Sequence, residues 1–202
     1  MSFSALPVSA GWQHRGARAG FEVAYFQPAD GGYRINGCTT AVEDGQTWVV
    51  SYAIRVDETW TTRSARIEGR SASGVRRTLV EEGSPGSPGG PGRPSRWRVD
   101  GQPAPHLDGC LDVDLESSAM TNALPVHRMA LSTGARASAP AAYVRALDLG
   151  VERLDQEYVR AADEGPRQRY DYRAPAFGFS CRLAYDESGL VLDYPGIAVR
   201  AI

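Results

Sequence analysis

Residues 48–60 read Trp48-Val49-Val50-Ser51-Tyr52-Ala53-Ile54-Arg55-Val56-Asp57-Glu58-Thr59-Trp60. Trp48, Val50, Tyr52, Ile54 and Val56 fall on one side of a period-two pattern, and Val49, Ser51, Ala53, Arg55 and Asp57 on the other. A β-strand turns successive side chains to opposite faces, so this pattern predicts a strand with one face in the core. The run from Trp60 to Glu68 alternates less cleanly. Asp57-Glu58 is a weak turn pair that would make the two runs a hairpin.

The rest of the chain extends the pattern. Strands are expected at 21–27, 32–37, 75–80, 96–99, 111–115, 126–131, 169–173, 177–185, 190–194 and 197–200. Asp30-Gly31-Gly32 and Asp186-Glu187-Ser188-Gly189 are turn signals between them. Many short strands broken by Gly and Pro predict an all-β sandwich, barrel or half-barrel. Residues 143–162 fit two periods. Tyr143, Leu147, Val151, Leu154 and Tyr158 make a helical stripe, while Leu147, Leu149 and Val151 alternate, and Gly150 weakens a helix by ~1 kcal/mol.

The chain has 202 residues, a hydrophobic share of 42% and a formal net charge of −2. That is enough apolar material for one large domain, read as residues 1–202. The charge gives no general attraction for nucleic acid. All 22 basic residues other than His are Arg. Residues 84–94 read Ser-Pro-Gly-Ser-Pro-Gly-Gly-Pro-Gly-Arg-Pro, and a flexible loop within the domain, at 83–95, is expected there. Cys38, Cys110 and Cys181 have no close spacing, which predicts buried free thiols rather than a zinc site or a disulfide framework. No basic region followed by an apolar run opens the chain, and no stretch approaches ~18 apolar residues. A cytoplasmic protein is expected.

The densest polar segment is 108–128. Leu111, Val113 and Leu115 would point one way, and Asp112, Asp114 and Glu116 the other. Carboxylates two apart on a strand lie ~7 Å apart at a rise of ~3.3 Å per residue. Acid/base pairs of glycosidases span ~5–9.5 Å, so catalysis is geometrically allowed. Oxygen-ligand metal binding is allowed too. So is a plain solvated face, or pairing with Arg. His127 and Arg128, on an expected strand, would face opposite ways. An inward Arg128 would need a carboxylate partner, Asp112 or Asp114. No nucleophile elbow, phosphate loop or dinucleotide fingerprint is present, so no cofactor is expected. Trp12, Trp48, Trp60, Trp97, Tyr170, Tyr172, Tyr185 and Tyr194 suit a sugar or acyl groove, though core is their commoner fate.

Several of these segments carry a family resemblance. They are Leu107-Asp108-Gly109-Cys110-Leu111-Asp112-Val113-Asp114-Leu115 and Thr121-Asn122-Ala123-Leu124-Pro125-Val126-His127-Arg128. Gln156-Glu157-Tyr158, Tyr170-Asp171-Tyr172 and Gly189-Leu190-Val191-Leu192-Asp193-Tyr194-Pro195-Gly196 continue the set. Upstream stand the Tyr52 to Trp60 run, Arg63, and Trp97 before Asp100-Gly101. From about Trp12 to Arg200 the chain resembles a bacterial glycolipid-binding family. It departs from the family pattern at Ser118-Ala119-Met120, where Ser-Pro is usual, and at Val126-His127-Arg128, where Ile-Arg-Arg is usual; the second departure favours Arg128 over His127. Segment 84–94 looks like an insertion.

The resemblance implies a strongly curved antiparallel sheet with little helix, an unclosed barrel or half-barrel similar to envelope lipoprotein carriers. It moves 143–162 towards two strands. It implies a concave face holding an amphipathic glycolipid or lipid. Arg55, Arg63, Asp112, Asp114, Asn122 and Arg128 are then candidates for the head-group end, and Tyr52, Trp60 and Tyr194 for the wall. Two other readings stand beside it. One is a hydrolase acting on a sugar or lipid through Asp112 and Asp114. The other is a structural or interaction module in which the polar motif ties strands together.

Overall fold

The computed structural model of the protein describes residues 3–83 and 97–202. The Pro/Gly-rich stretch lies outside the described residues. The first half is an antiparallel meander of β1 (Ser9–His14), β2 (Ala19–Ala29), β3 (Gly32–Glu43), β4 (Gln46–Asp57), β5 (Thr62–Ser71) and β6 (Gly74–Glu82). The short β7 (Trp97–Val99) and β8 (Gln102–Pro103) extend it. Then come β9 (Asp112–Leu115), the α-helix α1 (Ala123–Met129), β10 (Arg136–Ser138), β11 (Ala141–Val144) and β12 (Val151–Leu154). A second meander follows: β13 (Glu157–Glu164), β14 (Arg167–Ala174), β15 (Phe179–Tyr185), β16 (Val191–Tyr194) and β17 (Ala198–Arg200). β17 returns to pair with β1 and joins the two meanders into one 14-stranded sheet, with β10 at one edge and β8 at the other. The sheet is open and antiparallel, so the protein is all-β.

The 48–60 run behaves as its alternation demands. Trp48, Val50, Tyr52, Ile54 and Val56 are buried, and Arg55 is exposed on the opposite face. The Asp57 carboxylate caps the following turn, accepting from the Thr59 and Thr61 N–H groups at 2.9 Å each.

What bends the sheet is its filling. β13 and β3 are seven strand spacings apart in the sheet, ~34 Å if it were flat. Yet Thr39 of β3 bonds the Ser117 carbonyl at 2.8 Å, and Tyr158 of β13 bonds Asn122 at 3.0 Å. Five residues of chain span at most ~18 Å. Both arms therefore wrap one inner segment. That segment holds α1 and a second, three-stranded sheet, β12-β11-β9, in which β9 runs parallel to β11. All four residues of β9 and of β11 are buried.

Three expectations are corrected here. Residues 126–131 are not a strand: Ala123–Met129 is helical, because Pro125 sits in the first turn, where its missing N–H is not needed. Asp112 and Asp114 do not lie on a solvated face; β9 is covered on both sides. The concave face of the half-barrel is not empty, because the inner segment packs against it. Residues 143–162 resolve into strands, parts of β11 and β13 with β12 between. The cysteines are free, with Cys110 buried and Cys38 and Cys181 half-buried. Among the described residues no helix is long and apolar enough to cross a membrane.

Candidate functional site

Where β14, β15 and β16 meet the inner segment, the filling stops short and leaves a cleft of about 230 Å³ open to solvent. Strand alternation aims Tyr172 and Ala174 of β14 inward, and Phe179 of β15 stands opposite Ala174 in the register. Tyr194 of β16 completes a triangle of rings. Centroids lie 6.0 Å apart for Tyr172–Tyr194, 6.3 Å for Tyr172–Phe179 and 6.0 Å for Phe179–Tyr194. On the far side Tyr143 of β11 meets Phe177 at 5.4 Å. Phe177 belongs to the short 3-10 turn between β14 and β15 and stands 51% exposed. Residues 174–179, Ala-Pro-Ala-Phe-Gly-Phe, carry no polar side chain.

The other side of the cleft is polar. Asp114 accepts from the Thr121 hydroxyl at 2.8 Å and from the Gln156 amide at 2.5 Å. Burial pushes its carboxyl up to about 6, with the Asp112 and Glu116 charges adding to the effect. Asn122 accepts from the Tyr158 hydroxyl, and Glu116 accepts from the Ala146 N–H at 2.7 Å. Arg18 reaches in from the β1–β2 turn. It donates to the Glu116 carbonyl at 2.8 Å, lies 3.4 Å from Glu43 and covers the Trp48 ring at 5.3 Å. Burial holds the phenols of Tyr143, Tyr172 and Tyr194 well above their ordinary range, so they stay neutral.

Of the nine head-group and wall candidates, Asp114, Asn122 and Tyr194 line this cleft, beside Tyr172 from the wider set of groove aromatics. The other six lie elsewhere. Asp112 is 1% exposed and takes a two-pronged bond from Arg128, Nε at 3.0 Å and Nη2 at 2.6 Å, away from the cleft. Tyr52 is buried and donates to Glu22 at 2.6 Å. Arg55 is on the outer face of β4. Arg63 bridges Asp57 and Glu82 at the surface. Trp60 stacks on His127, with centroids 3.7 Å apart and planes 14° from parallel. His127 and Arg128 do not face opposite ways, since neighbours on a helix are about 100° apart.

Sequence reasoning missed Arg18, Phe177 and Phe179, and it named Glu116 beside Asp114 and Tyr143 in a stripe without carrying either into the site. The uncharged run 174–179 was the available signal for the two phenylalanines. Among the described residues no cluster of three or more His, Cys, Asp or Glu gathers to hold a metal.

The comparisons with known proteins agree with this architecture. A DUF1089 family protein from Pseudomonas aeruginosa has a similar crystal structure, with a TM-score of 0.71 and 28% identity over 89% of this chain and 92% of that one. No curated protein matches. Residues 9–200 match the family described as putative glycolipid-binding, and the chain belongs to that family.

Proposed function

We propose that the protein holds an amphipathic, glycolipid-like molecule by its polar head in the β14–β16 cleft. One observation carries this reading: a solvent-open cleft joins a triangle of aromatic rings to a buried carboxylate. Rings give flat apolar faces for a sugar's C–H side, and carboxylate and amide oxygens accept from its hydroxyls. Known small-molecule pockets mix apolar walls with a few placed polar groups in the same way. A cleft of about 230 Å³ suits one hexose-sized group rather than a whole amphiphile. The tail would leave past Phe177. The cytoplasm is the proposed compartment, since free thiols fit a reducing one.

Native mass spectrometry of protein purified from its own host tests the proposal. A retained amphiphile is the expected result. A clean apo mass, with no thermal shift against a panel of glycolipids, would refute it.

Sugar-bond hydrolysis is a second reading with one point in its favour, the raised carboxyl of Asp114. The partner expected from sequence, Asp112, is held away from the cleft by Arg128, which leaves Glu116 as the second carboxylate lining it. Turnover of nitrophenyl glycosides, lost in Asp114→Asn, would establish it.

A further inference from the structure

Building on the reading of the cleft as the seat of a polar head, we infer that it takes an uncharged, hydroxyl-bearing head group and excludes one bearing phosphate, sulfate or carboxylate. Its charged groups are two carboxylates, Asp114 and Glu116, and one engaged guanidinium, Arg18. Each Asp114 oxygen takes one protein donor and keeps a lone pair for another. Glu116 uses Oε2 on Ala146, and its Oε1 takes no donor among the described residues. Asn122 spends its oxygen on Tyr158.

Arg18 is the single cation lining the cleft among the described residues, and it is already engaged. Nη1 serves the Glu116 carbonyl, Nη2 faces Glu43, and the guanidinium plane covers Trp48. Only Nε lacks a partner among the described residues, and it is buried. Recognition of phosphate or carboxylate takes a free guanidinium fork or a set of N–H donors. The cleft offers the buried Arg18 Nε–H and the Asn122 amide, which make neither a guanidinium fork nor a cationic site. It offers two carboxylates instead, Asp114 and Glu116, and Glu43, which faces Arg18, is not among the residues that line it. An anionic head would meet like charge in a partly desolvated place, whereas a hydroxyl would donate a hydrogen bond to Asp114.

A matched pair of ligands tests this directly. Octyl glucoside and octyl glucuronide share ring and tail, and differ by a hydroxymethyl against a carboxylate. Binding of octyl glucoside, galactoside, mannoside and glucuronide is measured by calorimetry as monomers, well above the pH at which Asp114 ionises. The glucuronide is expected to bind about tenfold or more weaker than the best neutral glycoside. Asp114→Asn, which removes charge and keeps an acceptor, narrows the gap about threefold. Glu116→Gln serves the same purpose should the first variant not fold. Equal affinities, or a preference for the glucuronide, would overturn the exclusion and leave the amphiphile reading standing. Failure of all four ligands to bind would overturn both.

Discussion

Tyr52 on β4 reaches past β3 to donate its phenolic hydrogen to Glu22 on β2, at 2.6 Å. The ring crosses β3 over Gly37, its register partner, where an added Cβ would stand 2.1 Å from the ring carbon Cζ. Glu22 is 0% exposed and also accepts from the Ser118 hydroxyl and from the Ala119 N–H at 2.7 Å. Burial still pushes its carboxyl above the ordinary range. One glycine thus opens the path by which the outer sheet grips the segment that fills it.

Gly37→Ala therefore displaces the Tyr52 ring. Overpacking costs about 1–3 kcal/mol, and a lost hydrogen bond that leaves a buried acceptor short costs a similar amount. Tyr52→Phe isolates the second contribution, with an expected loss of about 1–3 kcal/mol in urea unfolding. Equal stability of Gly37→Ala and the parent would show that the ring and its bond to Glu22 do not hold the inner segment.

The outer strands were legible and the inner layer was not, for one physical reason. Strand β4 has water on one side, so its polar residues mark the exposed face. Strand β9 has protein on both sides, so Asp112 and Asp114 alternate with Val113 and Leu115 without marking anything wet. Helix α1 has seven residues, too few for a helical stripe to show. Pro125 biased the reading of Leu124 towards extended backbone, and tertiary packing overrode that bias. In the cleft, Tyr172 shares its inward row with Tyr170, and only the ends of neighbouring elements decide that one is core and the other a wall. The Asp112–Arg128 pairing was legible only as one of two, since an inward Arg128 asked for either Asp112 or Asp114.

Arg128→Met tests that pair. It leaves a 1% exposed carboxylate without its two-pronged partner. Breaking such a pair on one side costs about 3–5 kcal/mol. Replacing both residues, as Asp112→Asn with Arg128→Met, recovers part of the loss. Non-additivity of the two in denaturant unfolding is the expected signature; strict additivity would mean the contact contributes nothing.

Gly189 closes the turn between β15 and β16 at φ +76, and an added Cβ would come within 2.6 Å of His127 Nε2 and 2.9 Å of the Phe3 ring. Gly189→Ala therefore meets strain in the backbone and a clash in space. About 1–3 kcal/mol for the backbone is expected, with more for the displaced ring. Near-UV circular dichroism should change as well, since His127 carries the Trp60 stack. An unchanged spectrum and midpoint would show that the turn yields freely.

Acid acts on the stability through two buried groups, His14 and Asp114, and the half-buried His127, and not all in one direction. Burial lowers His14 and His127 from 6.5 to about 4 each, with Arg18 adding to the effect on His14 and the Asp186 charge opposing it on His127. Both imidazoles are neutral in the folded protein, while the unfolded chain takes up their protons below 6.5. Their stabilisation is therefore present above that pH and lost as it falls towards 4, by up to about 3 kcal/mol each. Asp114 acts the other way. Its folded carboxyl titrates at about 6 against 3.8 for the free side chain, so between those values the folded state holds the extra proton and acid favours it. His127→Phe keeps a flat ring against Trp60 and removes one titration. At pH ~5 its stability should fall with acid less steeply than the parent's, by about 1.4 kcal/mol per pH unit. Asp114→Asn should make the fall steeper over the same range. Urea unfolding at intervals between pH 4 and 7 reads both slopes. Three parallel curves would mean that neither His127 nor Asp114 is shifted by its burial.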